Sequence, residues 1–226
     1  MALYAQGYSL VAGLDEAGRG CLAGPVVAAA VILPLAEDTT ETLVRFAGVN
    51  DSKQLTFAAR ERLYDIVMEH AISVGIGVGS VELIDQRNIL QATKYAMRQA
   101  LDQLTPEPEA LLLDALTLPN LPQPQRSIIK GDARCLSIAA ASIIAKVTRD
   151  RFMIALHNDY PHYGFDQHKG YGTAAHVAAL STYGVTDHHR KTFAPVSELL
   201  YGLFTQSESE EDVTDISRGE PSLEQG

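Results

Sequence analysis

The sequence predicts one α/β domain, a sheet with helices on its faces, and three observations lead to this prediction. Two apolar runs lie close together near the start of the chain, as expected of neighbouring buried strands. Farther along, short apolar runs alternate with longer segments in which apolar residues recur at helical spacing, the order that builds an α/β sheet. Acidic residues follow several predicted strands, and active sites collect at strand ends in such sheets.

Three antiparallel strands are predicted in the first 80 residues. An apolar run at 8–14 ends at the acidic pair Asp15-Glu16, and the run at 25–33 is apolar throughout, which is typical of a strand buried on both faces. A glycine-rich turn joins them. The alternation of apolar residues with glycine at 71–79 predicts the third strand.

Helices are predicted where apolar residues recur at intervals of three and four. Thr56 is a suitable N-cap for a helix at 56–70, and the longest helical pattern covers 135–157. The remaining predictions, in chain order, are a mostly irregular segment at 35–55, one or two helices at 81–104, strands at 110–113 and 126–130, a loop at 161–172 and short helices at 174–183 and 197–204. We therefore expect a folded domain at 1–204 and an acidic, disordered tail at 205–226, which lacks apolar periodicity.

Charge is unevenly distributed along the chain. The net charge is −10, but residues 207–226 hold seven acidic residues against Arg218 alone. Residues 126–191, in contrast, hold nine Lys or Arg against five Asp, with six of the seven histidines. A locally basic C-terminal half is expected of a surface that follows a phosphate backbone, although an ordinary solvated face also carries such charge.

The composition excludes several classes of protein. No apolar run approaches the roughly 20 residues needed to span a bilayer, and the first residues lack the basic segment and apolar core of a signal peptide. Cys21 and Cys135 form neither a Cys-x-x-Cys nor a Cys/His zinc pattern. We therefore expect a cytoplasmic protein with ordinary thiols, without a disulfide framework, a structural zinc or a membrane partner.

Four carboxylates lie at or just beyond predicted strand ends, namely Asp15, Glu16, Asp114 and Asp132. Buried carboxylates repel one another and lose their charge through desolvation, and a divalent cation removes both costs. Oxygen ligands without cysteine favour Mg²⁺ or Mn²⁺. Two such ions about 3.5–4 Å apart activate water on one side of a phosphodiester and stabilise the leaving oxygen on the other. The sequence thus predicts hydrolysis of a nucleic-acid backbone; as alternatives, Asp114 caps a loop and Asp132 caps a helix.

The most informative segment is Gly13-Leu14-Asp15-Glu16-Ala17-Gly18-Arg19-Gly20. Its two adjacent carboxylates can hold a metal, and its glycines let a polymer approach the backbone closely. Neighbouring residues of a regular strand point to opposite faces. Unless the strand twists at the glycines, Glu16 therefore reaches a site at Asp15 only from its margin.

These residues resemble the type 2 ribonucleases H, and specifically the bacterial ribonuclease HII family, from about residue 11 to residue 200. The similarity rests on several motifs that occur in a common order. They are the octapeptide, Gly24-Pro25-Val26-Val27-Ala28-Ala29-Ala30, Asn50-Asp51-Ser52-Lys53-Gln54-Leu55, Lys130-Gly131-Asp132, residues 138–150, Tyr163-Gly164-Phe165 and His168-Lys169-Gly170-Tyr171. Ala115 stands where the family often has glycine and Gly172 where proline is frequent, which leaves the local loop geometry open.

The resemblance implies an RNase H-like fold with a central mixed sheet and a C-terminal helical segment. It implies an enzyme of ribonucleotide excision repair that cleaves the RNA strand of RNA/DNA hybrids and nicks duplex DNA 5′ to embedded ribonucleotides, leaving 3′-hydroxyl and 5′-phosphate ends. Asp15, Glu16, Asp114 and Asp132 would then be the catalytic metal ligands, for Mg²⁺ or Mn²⁺. The implied substrate contacts are Gly18, Arg19 and Gly20 with the ribose 2′-hydroxyl, Tyr171 with the adjacent deoxyribose, and Lys53, Lys146 and Lys169 with phosphates.

Three other functions compete with this one. A ribonuclease HIII prefers continuous hybrids and usually carries an extra N-terminal domain, for which we expect no room because the acidic motif begins at residue 13. A non-catalytic hybrid-binding module would not need all four carboxylates. A sugar kinase or other phosphotransferase of related fold would need nucleotide-binding glycine loops, which the sequence lacks. We expect a monomer, and no protein partner is predicted.

Overall fold

Five strands form one mixed sheet in the order β3-β2-β1-β4-β5. The strands are β1 (Val11–Ala17), β2 (Val26–Ile32), β3 (Ser73–Gly79), β4 (Ala110–Asp114) and β5 (Gln125–Ile128). β2 pairs antiparallel with β1 and β3, whereas β4 runs parallel to β1 and β5. The predicted sheet, with three antiparallel strands first, is therefore confirmed.

The computed structural model describes residues 3–35, 39–50 and 52–202. Its α-helices are α1 (Thr39–Arg45), α2 (Phe57–His70), α3 (Val81–Arg87), α4 (Ile89–Leu101), α5 (Leu136–Asp159), α6 (Phe165–His168) and α7 (Ala174–Tyr183). Residues 196–202 are also helical. Within the described ranges, no helix is long and apolar enough to cross a membrane. Asp51 and the predicted tail at 205–226 lie outside these ranges, so the predicted disorder of the tail stays a prediction.

Most helix predictions are confirmed, including the N-cap of α2. The Thr56 side chain accepts a hydrogen bond from the Ala59 N–H at 3.2 Å, which satisfies one of the free donors of the first turn. The predicted helical region at 81–104 is two helices, because Asn88 adopts a φ of 71° between them and caps the second with its side chain.

Three predictions of local structure are wrong. The segment 35–55 contains α1 as well as a short 3₁₀ turn, Ser52–Gln54; α1 is only seven residues long and leaves little periodic signal. The loop at 161–172 contains α6. The first strand runs through Ala17, so Asp15 and Glu16 lie inside it and not beyond its end.

The long helix α5 packs across β1 and brings the end of the sheet and the start of the helix together. A Cβ atom built at Gly13 in β1 would lie 2.2 Å from the carbonyl carbon of Ser137 in α5. Only glycine therefore permits this separation of helix and strand. The opposite face of the sheet is covered by α4, which explains why every residue of β2 is buried.

Candidate metal centre and substrate-binding loops

Three of the four predicted carboxylates converge near the C-terminal ends of the neighbouring strands β1 and β4. Asp15 lies in β1, Asp114 ends β4, and Asp132 lies in the turn Gly131–Ala133 before α5. Each offers an oxygen atom within 4.8 Å of the others. The turn is fastened to β4 because the Asp114 carboxylate accepts a hydrogen bond from the Gly131 N–H at 2.8 Å. The sequence-distant aspartates therefore form one acidic cluster.

The predicted structural roles of two aspartates have different outcomes. Asp114 does cap a loop, through its bond to Gly131, in addition to joining the cluster. The helix-cap role of Asp132 is wrong, because Cys135 is the N-cap residue of α5. Asp132 instead accepts hydrogen bonds from the Ala133 N–H at 3.0 Å and from the Lys53 ammonium at 3.3 Å.

Asp15 is buried, and its environment opposes ionisation. Burial raises the pKa of its carboxyl well above the ordinary value, and the charges of Glu16 and Asp114 raise it further. Hydrogen bonds from the Glu16 N–H, at 2.8 Å, and from the Ser142 side chain oppose this shift. Ser142 also bonds the Ser52 hydroxyl at 2.8 Å. The two serines, which sequence reasoning missed, thus connect Asp15 to the turn that carries Lys53.

Glu16 lies beside this cluster and not within it. β1 pairs with β2 at every position from Ala12 to Ala17, so the strand stays regular and its side chains alternate. One Glu16 carboxylate oxygen accepts from the Arg19 guanidinium at 3.1 Å, while the other, Oε2, is buried without a hydrogen-bond partner. Burial raises the Glu16 pKa and the charge of Arg19 opposes this. A buried carboxylate oxygen without a donor matches the environment of a cation ligand.

The Gly18-Arg19-Gly20 segment, called here the glycine loop, follows β1 directly. Gly18 has a φ of +96°, and a Cβ built there would lie 2.0 Å from Nε of Arg149. Both observations exclude any other residue. A Cβ at Gly20, in contrast, would meet nothing within 4 Å. The backbone at Gly20 is therefore open to a ligand.

Tyr171 lies next to the glycine loop. Its backbone forms an isolated β-bridge with Cys21, and its side chain is 41% exposed. The Lys146 ammonium lies 5.5 Å from the centroid of its ring. Burial of its phenol raises the pKa of Tyr171. The ring is thus partly fixed by protein contacts and partly exposed.

The three candidate lysines differ in their surroundings. Lys53 is largely exposed and pairs with Asp132 at the acidic cluster. Lys146 donates to the buried Asp150 carboxylate at 2.8 Å, and Lys169 donates to the backbone carbonyl of Asp166. Burial also lowers the Lys169 pKa. Lys53 is accordingly the best placed of the three to meet a phosphate.

The basic C-terminal half is not entirely a surface. Arg149 and Arg190 are fully buried. Arg149 donates to the carbonyls of Ala23, Pro25 and Lys169, each at 2.9 Å. Counting charges in the sequence therefore overstates the positive surface, since composition does not distinguish a buried arginine from an exposed one.

The chain is similar in sequence to known proteins. The family model described as Ribonuclease HII matches residues 12–196. A ribonuclease HII from Chloroflexus aurantiacus is 55% identical over 201 residues, covering 89% of this chain and 94% of that protein. The similarity therefore extends over nearly all the residues that build the sheet, the acidic cluster and the loops.

Solved structures agree at the level of the fold. The ribonuclease H2 from Pyrococcus horikoshii superimposes with a TM-score of 0.71 and 27% identity, covering 86% of this chain and 98% of that one. Bst-RNase HIII in complex with Mn²⁺ has a TM-score of 0.66 at 22% identity, covering 86% of this chain and 70% of that one. Both support the RNase H-like fold that the sequence resemblance implied.

Proposed function

Because the chain belongs to the ribonuclease HII family and is a type 2 ribonuclease H endonuclease, we propose that it cleaves RNA/DNA hybrids and nicks duplex DNA 5′ to an embedded ribonucleotide. The products carry 3′-hydroxyl and 5′-phosphate ends. The supporting observation is the acidic cluster of three carboxylates within 4.8 Å, one of which, Asp15, lies on the strand that leads into the glycine loop. Hydrolysis and sugar recognition would then occur on neighbouring parts of one strand and turn.

Asp15, Asp114 and Asp132 would hold divalent cations, with Glu16 joining from the margin. The donor set fits such ions because it offers only oxygen, the ligand that Mg²⁺ and Mn²⁺ prefer. The buried and unpartnered Oε2 of Glu16 supports its participation. When bound, the ions supply activation of the attacking water and stabilisation of the leaving oxygen. The proposed ion is Mg²⁺ or Mn²⁺.

The other side chains would bind and orient the duplex. Lys53 adds an exposed positive charge beside Asp132, where a phosphate of the cleaved strand would lie. The glycine loop would contact the ribose 2′-hydroxyl through its open backbone at Gly20, the group by which a protein distinguishes RNA from DNA. Tyr171 would stack its exposed ring face on the adjacent deoxyribose. Lys146 and Lys169 would contribute to the positive potential around the backbone.

The test uses three duplexes of one sequence: DNA with a single ribonucleotide, an RNA/DNA hybrid, and DNA alone. Each is incubated with Mg²⁺, with Mn²⁺ or with EDTA, and the ends of the products are mapped. We expect a nick 5′ to the single ribonucleotide with either metal, and no product with EDTA. No nick in the presence of metal refutes the proposal, whereas cleavage of the hybrid alone favours a ribonuclease HIII-like preference.

A matched pair of variants tests the ligand assignment. Asp132→Asn removes a charged oxygen from the cluster and should lower cleavage by orders of magnitude while leaving duplex binding largely intact. Asp159→Asn makes the same change at the exposed end of α5 and serves as the control. Equal rates for the two variants contradict a ligand role for Asp132.

We also infer that the protein acts as a cytoplasmic monomer on its nucleic-acid substrate. The acidic cluster, the glycine loop and Tyr171 all come from one chain. Gel filtration with light scattering tests the monomer, and a dimeric mass at micromolar concentration contradicts it.

A further inference from the structure

Arg190 is a fully buried arginine whose side chain holds the glycine loop by its carbonyl groups. Its guanidinium donates to the Gly18 carbonyl at 2.6 Å and to the Arg19 carbonyl at 2.8 Å. It also donates to the Gly24 carbonyl, at 2.9 and 3.0 Å from two nitrogens. The planar fork of arginine suits this task, because its five donors have a fixed geometry. Both ends of the turn are thus fastened to one side chain.

These bonds determine where the amides of the loop point. In a planar trans peptide, the C=O and the following N–H point in opposite directions. Since the Gly18 and Arg19 carbonyls face the buried Arg190, the N–H groups of Arg19 and Gly20 face away from it. Neither N–H has a hydrogen-bond acceptor among residues 3–35, 39–50 and 52–202, and a Cβ at Gly20 would meet nothing within 4 Å. Both residues are exposed, so two N–H groups without a protein acceptor face solvent.

Burial of the Arg190 guanidinium costs desolvation free energy, which indicates a role other than stability. In the described part of the chain, no carboxylate lies within 4.0 Å of its guanidinium. Desolvation lowers its pKa to about 10. A buried charge without a counter-ion is costly, and an apolar residue of similar volume is often more stable. What the guanidinium supplies, and an apolar side chain does not, is the set of donors to the loop.

The surroundings hold Arg190 itself in place. The Phe193 ring centroid lies 5.2 Å from its Cζ atom, and the Arg190 N–H donates to the Leu22 carbonyl at 2.8 Å. The preceding residue, His189, bonds the buried His176 at 3.1 Å, and His176 in turn bonds the Tyr171 carbonyl at 3.0 Å. Because burial lowers the pKa of both histidines to about 4, this connection stays neutral at ordinary pH.

We propose that Arg190 is a positioning residue for ribose recognition, and that it directs the Arg19 and Gly20 N–H groups toward the 2′-oxygen of the substrate. Arg190 does not touch the substrate; it acts through the glycine loop. The inference rests on the proposed function, since it assumes that this loop contacts the ribose. It extends that function by naming the donors and the side chain that orients them.

The experiment measures duplex binding and not cleavage, so that a loss of catalysis does not affect the result. In the Asp132→Asn background, affinities are measured for DNA containing one ribonucleotide and for the same duplex of DNA alone. The dissociation constant for DNA alone, divided by that for the ribonucleotide-containing duplex, reports recognition of the 2′-hydroxyl. Arg190→Lys keeps the charge but loses the fork, and we expect it to lower this ratio by roughly tenfold, equivalent to about one hydrogen bond.

Arg60→Lys is the matched control. Arg60 also donates to backbone carbonyls, those of Ser52 and Leu55, but in the turn that carries Lys53. This variant should weaken the binding of both duplexes equally and leave the ratio of dissociation constants unchanged. An unchanged ratio in Arg190→Lys, or an equal fall in the ratio for Arg60→Lys, overturns the positioning role. A ratio near one in the Asp132→Asn parent instead refutes ribose recognition itself, and so the proposed function.

A second measurement needs no Arg190 variant and remains decisive if Arg190→Lys does not fold. Amide hydrogen exchange is followed by NMR in the Asp132→Asn protein. The Arg19 and Gly20 amides should exchange rapidly in the free protein and become protected by the ribonucleotide-containing duplex more than by DNA alone. Slow exchange in the free protein refutes the outward orientation of these donors, and equal protection by the two duplexes refutes their recognition of the 2′-hydroxyl.

Discussion

Removal of one charge from the acidic cluster should stabilise the metal-free protein while abolishing its activity. We choose Asp15→Asn because the substitution changes little else. The asparagine oxygen still accepts from the Glu16 N–H, which lies 2.8 Å from the aspartate oxygen. Its new NH₂ group carries no negative charge beside Asp114 and Asp132, whose carboxylate oxygens lie within 4.8 Å. The change therefore removes repulsion and keeps the hydrogen bonds.

The expected gain follows from Coulomb's law. Two unit charges at 4.8 Å, the greatest separation of the cluster's ligand oxygens, repel by about 3 kcal/mol at an effective dielectric constant of about 20. Lys53 and the N–H donors around the cluster offset part of this repulsion. We therefore expect the free energy of unfolding in EDTA to rise by about 1–3 kcal/mol, which raises Tm by roughly 3–9 °C in a domain of this size.

The pH dependence has a definite sign. The folded-state pKa of Asp15 is raised, mainly by burial, so its protonated form stabilises the fold. That stability is fully present below the unfolded pKa of about 3.9 and is lost as pH rises through the folded pKa. The advantage of Asp15→Asn should accordingly be small near pH 4 and larger near pH 8. Thermal unfolding in EDTA at both pH values measures it, alongside a cleavage assay with Mg²⁺.

Asp150→Asn is the control for a buried aspartate in the opposite setting. Asp150 lies 2.8 Å from the Lys146 ammonium and 3.9 Å from the Arg60 guanidinium. Its neutralisation leaves those cations without this negatively charged partner and should destabilise the protein by about 3 kcal/mol. If Asp15→Asn is no more stable than the wild type in EDTA at pH 8, the argument from carboxylate repulsion is refuted.

Three further predictions concern the backbone around the site. Ala115→Gly should raise the free energy of unfolding by about 0.5–1 kcal/mol, because Ala115 adopts a φ of 49° that favours glycine; a loss of stability in urea titration contradicts this. Gly13→Ala should destabilise by at least about 2 kcal/mol and lower cleavage, since its Cβ would lie 2.2 Å from the Ser137 carbonyl carbon and force α5 away from β1; Gly202→Ala, whose Cβ would meet nothing within 4 Å, is the comparison for overpacking. Arg19→Ala removes a partly exposed ion pair with Glu16 and should change stability by less than about 1 kcal/mol, yet weaken discrimination of RNA from DNA. Equal losses of stability and discrimination would favour a merely structural role for Arg19.

Sequence patterns were sufficient for the sheet, most of the helices and the identity of the acidic residues. Apolar runs and their spacing carry that information, because strands and helices bury residues with different periods. They failed where the signal was short, as in α1 and α6, and where an element end had to be placed within a few residues. The misplaced end of β1 is the example that matters most for the site, since Asp15 and Glu16 lie within that strand.

The amino-acid sequence was enough to identify the carboxylates, the glycine loop and the nuclease family to which the chain belongs. Which of these groups meet depends on the folded chain. It placed Asp15, Asp114 and Asp132 together and Glu16 at the margin, because β1 stays regular beside the parallel strand β4. It also turned two basic residues, Arg149 and Arg190, into buried donors for loop carbonyls. Composition cannot distinguish these roles, because burial and hydrogen-bond partners depend on contacts between residues far apart in the chain.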